Sequence, residues 1–320
     1  MQGIEALRRL IAGLLLVVTL CPPTLAQVVS EYPIPGIAGN TCSGPNAVYF
    51  TDATNNAIGE LLPDGTAREW TIPTPNSSPA GCAYDQVRNR VYFTEQASYK
   101  VGALDLQHLN FFEWMSPLPH NGIAGLTFGG DGNLWIVAPS GSRVLHMTPS
   151  GQFLAPIILA SGRWPHGPAL GHDGNVWFAE FSGNRLATVS PAGVVREYVL
   201  PQANSKPFTA APGPDGVYFT LNGVNKVTRI SYTGTINQWS IPTLNTAPMG
   251  ITLCDLDSNG NPQLVYFAES TVNKIGVMAL GGGPISEYFS GAFPNKVTCG
   301  RADNRAYWSE RGANNIGAMR

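Results

Sequence analysis

The sequence predicts an all-β protein: a seven-bladed β-propeller of four-stranded blades, its ring closed by an N-terminal strand that pairs in the last blade. Three observations carry this. A short apolar-aromatic strand recurs with its ring at Tyr49, Tyr92, Trp135, Trp177, Tyr218, Tyr266 and Tyr307, a spacing of 41 to 48 residues, which is the length of one propeller blade. The chain has 36 glycines and 26 prolines, only 12% charged residues, and no heptads or long helical stripe, as suits an all-β protein with many tight turns. The last unit reaches Arg320 after three strands, while VVSEYPIP at residues 28–35 reads as a fourth strand lacking its own first three. Borrowing that strand closes the ring and removes the edges of an open array.

Residues 171–201 show most clearly how one blade is encoded. VWFAE (176–180) is an apolar-aromatic run, and NRLATV (184–189) and VVREYVL (194–200) alternate with period two. Asp173-Gly174-Asn175 and Ser190-Pro191-Ala192-Gly193 supply the turns between them. A weaker strand is expected just upstream, in residues 167–170. Elsewhere the third strand recurs as NNAIGEL, SYKVGAL, NKVTRI, NKIGVM and NNIGAM, and the fourth as AREWTIP, FFEWMSP, INQWSIP and ISEYFSG. Asp52, Glu95, Glu180, Glu269 and Glu310 end the second strand in five units, so a repeated structural role, such as bonding nearby backbone amides, is expected of them rather than five catalytic sites.

The N-terminus reads as a targeting segment. Arg8-Arg9 precede an apolar run at 10–20, and Thr24-Leu25-Ala26 offers small residues for cleavage, so residues 1–26 are read as a signal peptide and 27–320 as a single propeller domain, exported to a periplasmic or extracellular space. The run is too short for a spanning helix and Pro22-Pro23 follow it, which argues against a membrane anchor. A net charge of −2 without a basic stripe argues against nucleic acid and anionic membranes as partners. Export permits disulfides. Cys42, Cys82, Cys254 and Cys299 each lie near the start of a unit, and three pairings are open: Cys42 with Cys299 across the closure, Cys42 with Cys82 and Cys254 with Cys299, or the third. Buried free thiols are the competing reading.

The strings VYFAE, NKIG, ISEY and Pro248-Met249-Gly250-Ile251 resemble the virginiamycin B lyase (streptogramin lyase) family of seven-bladed propellers, over residues 28–320. The resemblance implies a magnesium-dependent elimination that opens the ester of a cyclic depsipeptide, with a Tyr where the first blade opens, a His at the sixth and Glu-x-His at the seventh. These motif residues build strands and turns, so activity has to be read from departures.

The residue between Pro and Gly in each P-x-G-I opening should line the mouth of the central channel. In order the ring reads Ala38 or Gly39, Ala80, Ala124, His166, Phe208, Met249 and Asn295. The family's Tyr has no counterpart, Met249 stands at the His position, and Phe293 and Asn295 stand at Glu-x-His. Met, Phe and Asn cannot take a proton next to a carbonyl, so the family's mechanism is not expected, and Mg²⁺ only if lyase chemistry survives.

His166 is the one titratable side chain in this ring and the candidate catalytic residue. With Arg163, Trp164, Lys206, Phe208, Met249 and Asn295 it forms a candidate binding site for an anionic or aromatic small ligand. The competing reading is a satisfied structural histidine. His120 falls in a connecting loop, His172 in a turn, and His108 and His146 have no evident partner. A separate insertion holds Asp255, Asp257, Asn259 and Gln263 at the spacing of a weak structural Ca²⁺ loop; with two carboxylates, a plain Asp/Asn/Gly turn is the stronger reading. GxSxG, P-loop, CxxC and HExxH motifs are absent. Three functions follow: an exported propeller binding a small molecule or an unidentified protein at the channel mouth, a lyase of cyclic esters relocated to His166, or an interaction scaffold using an outer edge.

Overall fold

Each second strand has a run of five or more fully buried residues, as in VYFTD, LWIVA and VWFAE, because its two faces meet the neighbouring blades on either side. That explains why these strands are continuous apolar runs rather than alternating ones. A computed structural model describes residues 28–118 and 122–320; the leader read at 1–26 and His120 lie outside them.

Among the described residues there are seven four-stranded antiparallel sheets. Blade 1 runs Ala38–Ser43, Val48–Asp52, Ala57–Leu61 and Ala67–Thr71. Blades 2 to 6 repeat the pattern from Pro79–Asp85, Leu126–Phe128, Pro165–Leu170, Pro207–Gly213 and Pro248–Leu256. Blade 7 holds Pro294–Gly300, Arg305–Glu310 and Asn315–Met319, and its outermost strand is Ser30–Pro33. The N-terminal strand thus pairs antiparallel with the C-terminal one, Ser30 opposite Ala318 and Pro33 opposite Asn315, as the ends of the sequence predict. Blade 3 has the shortest outer strand, Ile157–Ile158, in the one unit for which the sequence gives no fourth-strand string of the recurring kind.

One apolar cluster fills each blade–blade interface, including the closure, where Ile34, Phe50, Leu61, Tyr307 and Ile316 pack together. The Ile-Gly pair of the third strand has a packing cause. A Cβ at Gly59 would lie 2.0 Å from the Phe50 ring, and one at Gly276 would lie 2.1 Å from Phe267, so glycine leaves the room that the second-strand aromatic fills. Cys42 bridges Cys82 and Cys254 bridges Cys299. The bridges tie the innermost strands of blades 1 and 2 and of blades 6 and 7; the Cys42–Cys299 alternative and the free-thiol reading do not hold.

The five second-strand acids are fully buried but do not share one role. Asp52 accepts the amides of Thr54 and Asn55, and Glu310 accepts the Gly291 amide and the Trp308 indole N–H. Glu95 accepts the Ser98 hydroxyl. Glu180 and Glu269, like Glu95 beside Glu113, face a carboxylate of the outer strand. Burial, then the neighbouring Glu197 or Glu287, pushes Glu180 and Glu269 up to about 8. A carboxyl whose folded value is raised contributes stability fully at low pH and loses it as pH rises through that value. Stability is therefore expected to fall between about pH 5 and about pH 9. Glu269→Gln, an uncharged near-isostere, should melt higher than the unaltered protein at the alkaline end and flatten the decline; thermal melts across that range check this, and parallel declines would contradict it.

Candidate functional site

The third strand is preceded by an asparagine in the left-handed region, at Asn56, Asn184, Asn225 and Asn273, a conformation Asn tolerates better than most residues. Its carboxamide clamps the crossover to the next blade. Asn184 donates to the carbonyls of Leu200 and Gln202 and accepts the Ser205 amide at 2.7 Å. Asn225 repeats the set with Ile241, Thr243 and Thr246. These clamps fix where the next innermost strand begins, and so fix the channel lining.

The innermost strands surround a cavity of about 430 Å³ to which all seven blades contribute. Strand register settles the first blade. Ala38 pairs with Asp52 as Pro79 pairs with Glu95 and Pro294 with Glu310, so Gly39 is the counterpart of Ala80 and Asn295. Gly39, Ala80, Ala124, His166, Phe208 and Asn295 line the cavity, whereas Met249 does not; Gly250 takes its place. Asn295 is buried and donates to the Gly39 carbonyl at 2.8 Å, linking blade 7 to blade 1.

His166 stacks on Phe208 at 5.0 Å between ring centroids, with Phe181 at 5.8 Å. Burial alone pushes its imidazole down to about 4, so the ring is neutral at physiological pH and lines the cavity without a positive charge. The structure separates it from three of its predicted partners. Arg163 is drawn into an ion-pair network, 3.1 Å from Glu180 and 3.0 Å from Glu197. Trp164 has a left-handed backbone and is exposed. Lys206 lies 5.9 Å from the Phe181 ring. None of the three lines the cavity.

Sequence reading missed Lys296, Arg311 and Gln96, which do line it. The signal was present. Lys296 stands where four of the other six openings carry Gly81, Gly125, Gly167 and Gly250, a departure one residue beyond the ring position that was read. No Asp or Glu is among the lining residues. Mg²⁺ takes oxygen ligands and is commonly held through carboxylates; a lining with two cations and no carboxylate does not fit that ion.

The insertion forms the hairpin between Pro248–Leu256 and Pro262–Glu269, at the end of the blade opposite the crossovers. Asp257 accepts the amides of Asn259 and Asn261 at 2.8 and 2.9 Å, with Gln263 Nε2 at 3.4 Å, and Asp255 has a left-handed backbone. This is the bonding of a self-capped turn, and it occupies lone pairs a Ca²⁺ ion would need. Among the described residues no three His, Cys, Asp or Glu side chains converge as a metal site.

The sequence profile of the Virginiamycin B lyase family matches residues 86–320. The chain belongs to the virginiamycin B lyase family. It is 26% identical over 217 residues to the virginiamycin B lyase of Nocardia farcinica (strain IFM 10152), covering 68% of this chain and 74% of that protein. A streptogramin B lyase structure superposes with a TM-score of 0.84 at 27% identity, over 92% of this chain and 97% of the other. A catalytically inactive virginiamycin B lyase from Staphylococcus aureus, solved with quinupristin, gives 0.82 at 25% identity, over 92% and 99%. Around the sixth and seventh openings, the Met249 backbone carbonyl accepts the Thr220 hydroxyl, as Ala80 and Ala124 accept Thr51 and Thr94, Asn295 bridges two blades, and the exposed Phe293 gives its backbone amide to the Asn273 clamp.

The Asn clamp can be tested directly. Asn184→Ala should cost about 2–4 kcal/mol, from lost hydrogen bonds to buried backbone groups together with left-handed strain. Asn184→Gly, which relieves the strain, should recover about 1 kcal/mol of that. Denaturant unfolding of both variants measures the difference, and an unchanged midpoint in Asn184→Ala would contradict the clamp.

Proposed function

We propose that this chain is an exported member of the virginiamycin B lyase family that binds a small ligand at the mouth of its central channel and does not perform the family's elimination. The observation carrying this reading is the chemistry of the cavity lining: a seven-blade pocket of about 430 Å³ with no carboxylate and a single, neutral imidazole. Elimination needs a group that removes a proton beside a carbonyl and an electrophile that stabilises the departing oxygen. His166, held down at about 4, is a weak base, and it stacks on Phe208 in the manner of a wall of an aromatic-lined site. The volume falls within the range of small-molecule pockets.

The relocated-lyase alternative makes an opposite prediction from the same residue. Purified protein incubated with Mg²⁺ and quinupristin, the compound in the S. aureus structure, should show no ring opening by mass spectrometry. Turnover that disappears in His166→Ala would replace the binding reading with the lyase one.

A further inference from the structure

A second ring of residues lies one position past the blade openings: Asn40, Gly81, Gly125, Gly167, Thr209, Gly250 and Lys296, and all seven line the cavity. Four are glycine, which clears the axis. Lys296 is the one ionisable side chain in this ring, and no acceptor for its ammonium is found among the described residues. Asn40, next to it across the blade 7–blade 1 junction, likewise has no side-chain hydrogen bond there. Arg311 lines the same cavity from the turn after Arg305–Glu310 and forms no ion pair among the described residues. The titratable groups facing the cavity are therefore His166, Lys296 and Arg311, Cys82 being held in a disulfide. Lys296 is half-buried in the cavity and Arg311 is exposed beside it; two positive charges converging on a carboxylate-free pocket without a counter-ion leave a position that an anion would fill.

We propose that the channel pocket is a site for a small organic monoanion with an apolar or aromatic body, its carboxylate held by Lys296 with Asn40 and Arg311 and its body lying against the His166–Phe208 stack. This rests on the small-ligand reading above and moves the anion-binding role from Arg163 and Lys206, which the fold diverts, to Lys296 and Arg311. The two halves of the site come from different parts of the ring, Lys296 from blade 7 and the aromatic stack from blades 4 and 5, three and two positions away. Nothing covalent is required: the ammonium supplies charge-assisted hydrogen bonds. Burial lowers Lys296 to about 8, so the free pocket already carries part of its charge at neutral pH, and a bound carboxylate would hold the proton on.

The test compares 2-naphthoate with the uncharged 2-naphthamide by titration calorimetry on the protein at low salt. The carboxylate should bind at least about tenfold more tightly, about 1.4 kcal/mol, and lose the Lys296 share of that advantage as the pH is raised from about 7 to about 10, where Lys296 gives up its proton. Lys296→Met should cut the preference several-fold, leaving the share due to Arg311, while Lys296→Arg should retain it; the two variants together separate charge from folding. Equal binding of both compounds would overturn the anion inference and leave the channel site standing. Binding of neither would overturn both, and an undiminished preference in Lys296→Met would overturn the role given to Lys296.

Discussion

The molecule depends on a single non-local pairing, that of Ser30–Pro33 with Asn315–Met319. Every other blade is built from contiguous chain; only blade 7 needs a strand from the far end of the sequence. The contact adds a short antiparallel ladder, the Ile34 amide bonded to the Asn314 carbonyl at 2.9 Å, and Tyr32 packed against Tyr307 at 6.4 Å. A few hydrogen bonds at about 1 kcal/mol each and one half-buried aromatic at about 1–2 kcal/mol give roughly 5 kcal/mol. That is a large share of the stability of a typical domain, about 5–15 kcal/mol. Without it, blades 1 and 7 would each present an open face, and the channel would lose its circular lining.

Much of this architecture was legible in the sequence because a propeller repeats its physics. The second-strand aromatics, the Ile-Gly pair beneath them and the Pro-containing openings each answer a local packing demand, and the fourth-strand character of residues 28–35 exposed the closure. The disulfide pairing was less accessible, since blade 1 adjoins both blade 2 and blade 7 and spacing alone cannot choose between neighbours. The second-strand acids were legible as structural but not in kind: Asp52 and Glu310 bond backbone amides, whereas Glu180 and Glu269 oppose a second carboxylate.

The site was harder to read for a different reason. Sequence adjacency places Arg163, Trp164 and Lys206 beside His166 and Phe208, but in a crossover with left-handed residues successive side chains leave in different directions. Arg163 meets Glu197 from the outer strand of its own blade, a contact that no linear spacing reveals. Lys296 was hidden by the converse effect, being remote from His166 in sequence and across the same cavity in space. The fold is shared with lyases; the lining here has Lys296 and Arg311 and no acid. Function on such a scaffold is set by a handful of positions on its innermost strands.

The closure can be measured residue by residue through native-state amide hydrogen exchange. If the ring is held shut as described, the amides of Asn315–Met319 should exchange only through global unfolding, at rates matching those of the central third strands such as Ala57–Leu61. Exchange of Asn315–Met319 through local opening, orders of magnitude faster than Ala57–Leu61, would show the terminal strand to be loosely held and would contradict the account.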